Sequence, residues 1–453
     1  MSRFVAFVVA LIVAVALVPS PARAYHAKTH AGLTERAALA SSLHKKLSTQ
    51  LGRPLGLYEP LTLDGDLTRD GERRELERRL KQLDPEGGYV PDRGRLTALD
   101  WLVAGAAVEG VPAERLRHHF YDPASGRGLD DRDGSALRNR VAAATWGIGT
   151  VRGIFTGASF DGTGMAAPDW ITARENAWGL ARFGDELERS VAAATAPARE
   201  GALARALLAA GAMAQVLEDE GDPTFVRNDY RVALEALDGP YERFTLMRYG
   251  RLGVPESVAA PIVKTHLRAL FHDSDGSGLA DRTQARFFSP GTLPDTQRYG
   301  LPEANAGADV QGYAAGVVPH LAHYREGERG IIWSLDERCF ADYAGVLLPE
   351  TTRYAAGLIE LLFRGRLELA VEHGAATVKV KELGLGAGTV TLYADVSGQP
   401  RQKVRARQLH AAGDGEAVLD ATLPAGAQRV AAVFRGVDSN GEPVVIVEEQ
   451  HVK

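Results

Sequence analysis

The stretch AGAMAQVLEDEGDPTFVRNDY, residues 210–230, has the cadence of a metal-site helix running into a Pro-broken loop, yet it holds no histidine. Positions four apart on a helix face the same way, so Gln215 and Asp219 project together. Imidazole and carboxylate placed like that hold divalent cations, and other segments offer the same side chains. WLVAGAAVEGVPAERLRHHFYDP (101–123) carries Glu109, His118 and His119; YHAKTHAGLTERAA opens with Tyr25 and carries His30; DGPYERF (238–244) sets Asp238 four residues before Glu242. Other chemistry is weaker. His320 and His323 in PHLAHYREG have helical spacing and read as two half-exposed histidines on an amphipathic helix. HDSDGSGLAD (272–281) and LDDRDGS (129–135) fall short of a calcium-loop pattern and read as solvated turns. No phosphate-binding glycine loop, nucleophile elbow or dinucleotide fingerprint stands in a fitting context. Cys339, the single cysteine, excludes a disulfide framework and reads as a small buried hydrophobe.

These residues need elements to position them. The chain has 453 residues, 45% hydrophobic and 24% charged, a globular composition long enough for two domains. Residues 1–24 read as a signal peptide: an Arg, an apolar run too short to span a bilayer, a Pro-Ser-Pro break and Ala-Arg-Ala before Tyr25. The expectation is a secreted or periplasmic protein with no transmembrane anchor after cleavage. From residue 31 to about 365 the pattern is helical, in segments such as LTERAALASSLHKKL, ERRELERRLKQL, PDWITARENAWGLARFGDELERSVAAA and ALARALLAAGAMAQVLEDE. After FRGRLELAV the period becomes two, in TVKVKEL, GTVTLYADV, QKVRARQL, AVLDATL, QRVAAVFRGV and PVVIVEE. The chain therefore reads as mainly α: a multi-helix domain over 25–365 and a small antiparallel β-sandwich over 366–453, abutting directly. A net charge of -6 leaves no basic footprint for wrapping nucleic acid.

Five pieces together resemble the zinc-dependent phospholipase C and single-strand nuclease superfamily of secreted phosphodiesterases: YHAKTHAGLTERAA, the 101–123 segment with HHFYDP, the 210–230 stretch with PTFVRNDY, DGPYERF, and ARFFSPGTL followed by RYAAGLIELLFRGRLE. The resemblance implies a phospholipase C-like helical fold. It also implies a three-zinc cluster whose ligands include the amine and carbonyl of the first mature residue, here Tyr25, with His30, His119, Asp219 and Glu242. Asp219 would bridge metals and position the catalytic water.

The sequence departs from that pattern at the ligands. Gln215 and Phe225 stand where the resemblance places histidines, and Glu109-Gly110 stands where it places Glu-Asp, leaving the carboxylate one position early. Asp238 replaces a histidine. An amide is a poor zinc ligand and a phenyl ring is none. Zinc is expected to fill at most part of the cluster, held by Tyr25, His30, His119, Asp219 and Glu242, with Asp238 and Glu109 as substitutes. The reading this favours is an exported, catalytically impaired member acting as a binding or structural module toward a protein, a surface or a phosphodiester ligand. The alternative is a metal-dependent hydrolase of phosphoric ester bonds, phospholipid or nucleic acid, working with a reduced or rearranged metal set.

Overall fold

A computed structural model describes residues 27–63, 94–110, 113–129, 164–229, 239–248, 260–293, 299, 312–328 and 330–452. Residues 1–24, read above as a signal peptide, Tyr25, Asp238, all of ERRELERRLKQL and all of LDDRDGS but Leu129 lie outside them. A helical region leads into antiparallel sheets at the C-terminal end.

The centre of the helical region is α6, Ala196–Asp219, which follows α1 (Ala27–Ala40), α2 (Leu43–Thr49), α3 (Ala98–Val108), α4 (Ala167–Trp170) and α5 (Leu180–Ala192). Thr195 caps α6 by accepting from the Ala198 amide, and Pro197 sits in the first turn, where a missing N–H costs nothing. Its Ala/Leu/Gly composition suits burial on every side, and burial is what it has. Two glycines set where α3 crosses it. A Cβ on Gly105 would stand 2.1 Å from the Leu208 carbonyl oxygen, and one on Gly211 would stand 1.8 Å from that of Leu102. Only glycine permits that approach, and it brings the C-terminal ends of both helices side by side. At the other end of α3, Thr97 caps the helix and the Trp101 indole donates to the Leu61 carbonyl at 2.9 Å.

Two expectations need correcting. PDWITARENAWGLARFGDELERSVAAA is not one helix: α4 ends at Trp170, turns follow, and α5 begins at Leu180. PHLAHYREG is not a helix either. His323 lies on β4 (Ala322–Gly327), which pairs with β3 (Tyr313–Ala314) and β5 (Gly330–Ser334), while His320 precedes it and contacts Asp342. A spacing of three fits a helix turn, but the Gly-rich tip at Gly327 and Gly330 and the Ile-Ile-Trp run favour a hairpin. A short pair, β1 (Pro60–Thr62) with β2 (Arg95–Thr97), also stands inside the stretch read as helical. The remaining α-helices among the described residues are α7 (Pro223–Val226), α8 (Pro240–Arg248), α9 (Leu267–Phe271), α10 (Leu279–Arg286) and α11 (Glu337–Leu362).

From Arg366 the chain forms seven strands: β6 (Arg366–Glu372), β7 (Ala375–Lys381), β8 (Leu385–Val396), β9 (Gln402–Leu409), β10 (Ala417–Thr422), β11 (Ala427–Asp438) and β12 (Pro443–His451). They make two antiparallel sheets, β10-β7-β6 and β12-β11-β8-β9. Alternation sends Val430, Ala432 and Phe434 of β11 into the core between the sheets. Their neighbours Ala431 and Val433, with Val445 and Val447, face the other way and join the helical core beside Phe183, Leu187 and Phe363. One hydrophobic core therefore runs from the helices onto the outer face of the larger sheet.

Candidate functional site

The α3–α6 crossing sets Glu109, at the end of α3, beside Gln215 and Asp219 on α6. Helix α1 adds His30 and Thr34, one turn apart on one face. A tight turn over 113–118 delivers Arg115 and ends at His119. His30, His119, Glu109, Glu218 and Asp219 are each 0% exposed.

These groups form an alternating chain. Glu218 accepts from Thr34 Oγ1 at 2.7 Å and lies 2.7 Å from His30 Nδ1. The other nitrogen of His30 stands 2.9 Å from Asp219 Oδ1, an ion-pair contact. Asp219 Oδ2 lies 2.5 Å from His119 Nδ1, and His119 Nε2 stands 3.7 Å from Glu109 Oε1. Arg115 closes the chain, donating from Nη2 to both Glu109 oxygens at 2.6 Å, while the Trp170 indole donates to Oε1 at 3.1 Å. The sequence Glu218–His30–Asp219–His119–Glu109–Arg115 thus places an acid beside each cationic group.

Burial opposes charge on every member, so the pairings decide the ionisation. On His30 the Asp219 and Glu218 carboxylates outweigh burial and push the imidazole up to about 9. His119 is raised in the same way by Asp219 and Glu109. Asp219 is held low, against burial, by the two imidazoles, and Glu109 by His119 and Arg115. Glu218 goes the other way, since burial outweighs what His30 and Thr34 supply. The core of the chain is a carboxylate held low between two imidazoles that are both held high.

The fate of each expected ligand follows. His30, His119, Asp219 and Glu109 are brought together. Glu242 is buried on α8, which packs against α1 and α11. Tyr25 and Asp238 lie outside the described residues. Asp219 pairs with the two histidines. His118 is half-buried and stacks on Trp170 at 4.1 Å. The departing positions have their own uses. The Gly110 amide donates to Gln215 Oε1 at 3.1 Å, and Phe225 stacks on Phe120 with centroids 4.3 Å apart.

As a zinc site the donor chemistry is right in part: two imidazoles and several carboxylates, each imidazole oriented through Nδ1 by an acid. The geometry is not. Asp219 turns one oxygen to each imidazole, and among the described residues no three His, Cys, Asp or Glu side chains converge on one point. Sequence reasoning missed Glu218, Thr34 and Arg115. The signal was present for Glu218, because three successive acids ending a buried apolar helix require partners.

No family model and no curated protein sequence matches this chain. Among solved structures, a crystal structure of Clostridium perfringens alpha-toxin from an avian strain is similar at 11% identity and TM-score 0.28, covering 96% of this chain and 100% of that one. A protein from Agrobacterium tumefaciens is similar at 16% identity and TM-score 0.15, over 25% of this chain and 55% of that one. Superpositions this loose carry no argument, so the reading of the site rests on its own residues.

Proposed function

We propose that this chain is an exported protein, related to the zinc phospholipase C and nuclease superfamily its motifs resemble, in which a proton-filled acid–imidazole chain has replaced the zinc cluster. It serves as a binding or structural module for a protein, a surface or a phosphodiester ligand. One observation carries the reading: Gly110 and Gln215, two of the positions that depart from the ligand pattern, hydrogen-bond to each other in the buried site. A hydrogen bond replaces what would be a shared metal, so the loss at one position is matched at the other. Phe225, packed on Phe120, supplies the same kind of compensation at the third. Zinc would also have to displace the proton that the raised His30 imidazole holds, which raises the cost of binding.

The test is metal content of the mature protein purified without chelator. Well under one zinc per chain is expected, with no turnover of phosphatidylcholine, single-stranded DNA or a chromogenic phosphodiester. The triple change Gly110→Asp, Gln215→His, Phe225→His should raise zinc content. Close to three zinc ions, or turnover that chelator and Asp219→Ala both abolish, would sink the proposal.

A second reading has one observation in its favour. Glu218, itself held by Thr34, fixes His30 through Nδ1, the arrangement that orients a metal-binding imidazole. In this reading His30, His119 and Asp219 would hold a reduced metal set, which would supply Lewis-acid activation of water for phosphodiester hydrolysis. About one zinc per chain, lost in Glu218→Gln, is its signature.

A further inference from the structure

A guanidinium beside a carboxylate ordinarily forks, with two nitrogens each taking one oxygen. Arg115 does not. Its Nη2 alone meets both Glu109 oxygens, each at 2.6 Å, and the same nitrogen meets Asn176 Oδ1 at 2.8 Å. Three oxygens thus crowd a nitrogen that carries only two hydrogens. Oxygens gather in this way round a spherical cation, and a bidentate carboxylate holds calcium from the same bisecting position, at about 2.3–2.6 Å. Groups other than Arg115 hold the cage in place. The Trp170 indole donates to Glu109 Oε1 at 3.1 Å, Asn176 Nδ2 donates to the Trp170 carbonyl at 3.1 Å, and the Trp178 amide donates to Asn176 Oδ1 at 3.0 Å. Glu109 and Asn176 are buried, whereas the Arg115 side chain is 13% exposed. It reaches in from the surface and fills the way to Glu109.

We propose that Glu109 and Asn176 form a site for a hard divalent cation, Ca2+ or Mn2+, and that Arg115 is a tethered cation which occupies and closes it. A carboxylate and an amide carbonyl select such ions over zinc. A positive charge is needed there, because a buried carboxylate is costly without one. The plug has two further holds: Nε donates to the Glu109 carbonyl at 3.0 Å, and the guanidinium carbon lies 5.1 Å from the centroid of the Trp170 ring. Space for the ion is the space Arg115 fills, and removing that side chain also admits the water that completes a shell of about six to eight oxygens. The inference deepens the reading above, in which protons and side chains stand where metal would, by naming the residue that supplies the charge at Glu109.

The experiment compares the full mature chain with its Arg115→Ala variant, each stripped with EDTA and then given Mn2+ or Ca2+. Wild type should take up neither ion. Arg115→Ala should bind about one Mn2+ per chain in equilibrium dialysis, and either ion should raise its Tm saturably by roughly 2–4 °C. Adding Glu109→Gln to that variant should abolish the binding, and adding Asn176→Ala should weaken it by roughly tenfold or more. Where Arg115→Ala does not fold in EDTA, refolding with the ions present decides: recovery with either supports the site, and recovery with neither overturns it. Uptake by Arg115→Ala no greater than by wild type, or uptake that survives Glu109→Gln, also overturns it. Zinc content of the unmodified chain tests the earlier reading, and Mn2+ or Ca2+ uptake by Arg115→Ala tests this one, so each can fail alone.

Discussion

The two ends of α6 bury charge in different ways. At its C-terminal end, Glu218 and Asp219 face the imidazoles of His30 and His119. Near its N-terminal end the cations are guanidinium groups: Arg199 reaches Asp395 at 3.5 Å, and the buried Arg401 forks onto the same carboxylate at 2.7 and 2.6 Å. Arg401 also donates to the Val191 carbonyl at 2.5 Å and to Glu449 at 3.2 Å, tying the larger sheet to α5. The geometries are alike but the cations are not. Guanidinium keeps its proton at any pH the protein meets, and its planar fork suits a permanent junction. Imidazole holds its proton only because acids surround it, so the same site can be emptied by base or contested by metal. The junction is built for permanence, whereas the site is built from side chains that can give up their protons.

The largest effect should come from cutting the junction altogether. A chain ending at Arg364 would strip Ala431, Val433, Val445 and Val447 from Phe183, Leu187 and Phe363. It is expected to lose its cooperative thermal transition; a sharp unfolding transition in that fragment would show the two regions to be independent. Next comes Asp219→Ala, which leaves two buried imidazoles without their shared carboxylate. A loss of about 3–5 kcal/mol in urea unfolding is expected, the range for breaking a buried ion pair from one side. A loss under about 1 kcal/mol would mean that solvent or an ion takes the place of Asp219. Arg401→Met should cost less, roughly 2 kcal/mol, because Asp395 and Glu449 keep some exposure and other Arg partners. If Arg401→Met costs more than Asp219→Ala, the ranking of the two ends is reversed.

Much of this was legible in the chain before any coordinates. Strands β7 to β12 follow the alternating segments because period two and Gly or Asp turns are local signals. His30, His119, Asp219 and Glu109 could be picked out because each lies in a short, dense motif. What escaped was long-range or two-faced. VAAVF in β11 and VVIV in β12 are continuous apolar runs, a sign of burial on both faces, and they are the segments that join the helical core. Glu218 has its partners His30 and Thr34 more than 180 positions away, at separations of 188 and 184. No spacing rule reaches that far; only the demand that a buried acid find a partner points to it.

The smallest effect is the one that separates imidazole from guanidinium most cleanly. His30 is raised to about 9 by Asp219 and Glu218 against burial, while an unfolded histidine titrates near 6.5. A raised pKa contributes stability that is complete below the unfolded value and is lost as pH rises through the folded one. Asp219, Glu109 and the junction's Asp395 are lowered instead, so what they contribute is lost on the acid side. Asp222 and Glu448, both raised by burial to about 7, and Glu218 and Glu220, also raised by burial, share the sign of His30 and add to the wild-type slope. Above pH 8.5 the buried Cys339 thiol, pushed up to about 12, would add its own slope. Between pH 7 and 8.5 the share of the fall in unfolding free energy that belongs to His30, no more than about 1.4 kcal/mol per pH unit, is the part that His30→Gln removes. Urea denaturation across that window should show the slope in wild type and in Arg401→Met, and a shallower one in His30→Gln. A flat wild-type profile, or a His30→Gln profile as steep as wild type, would mean that His30 is neutral in the folded site. The contrast between the two ends of α6 would then be that of a permanent cation against a neutral imidazole.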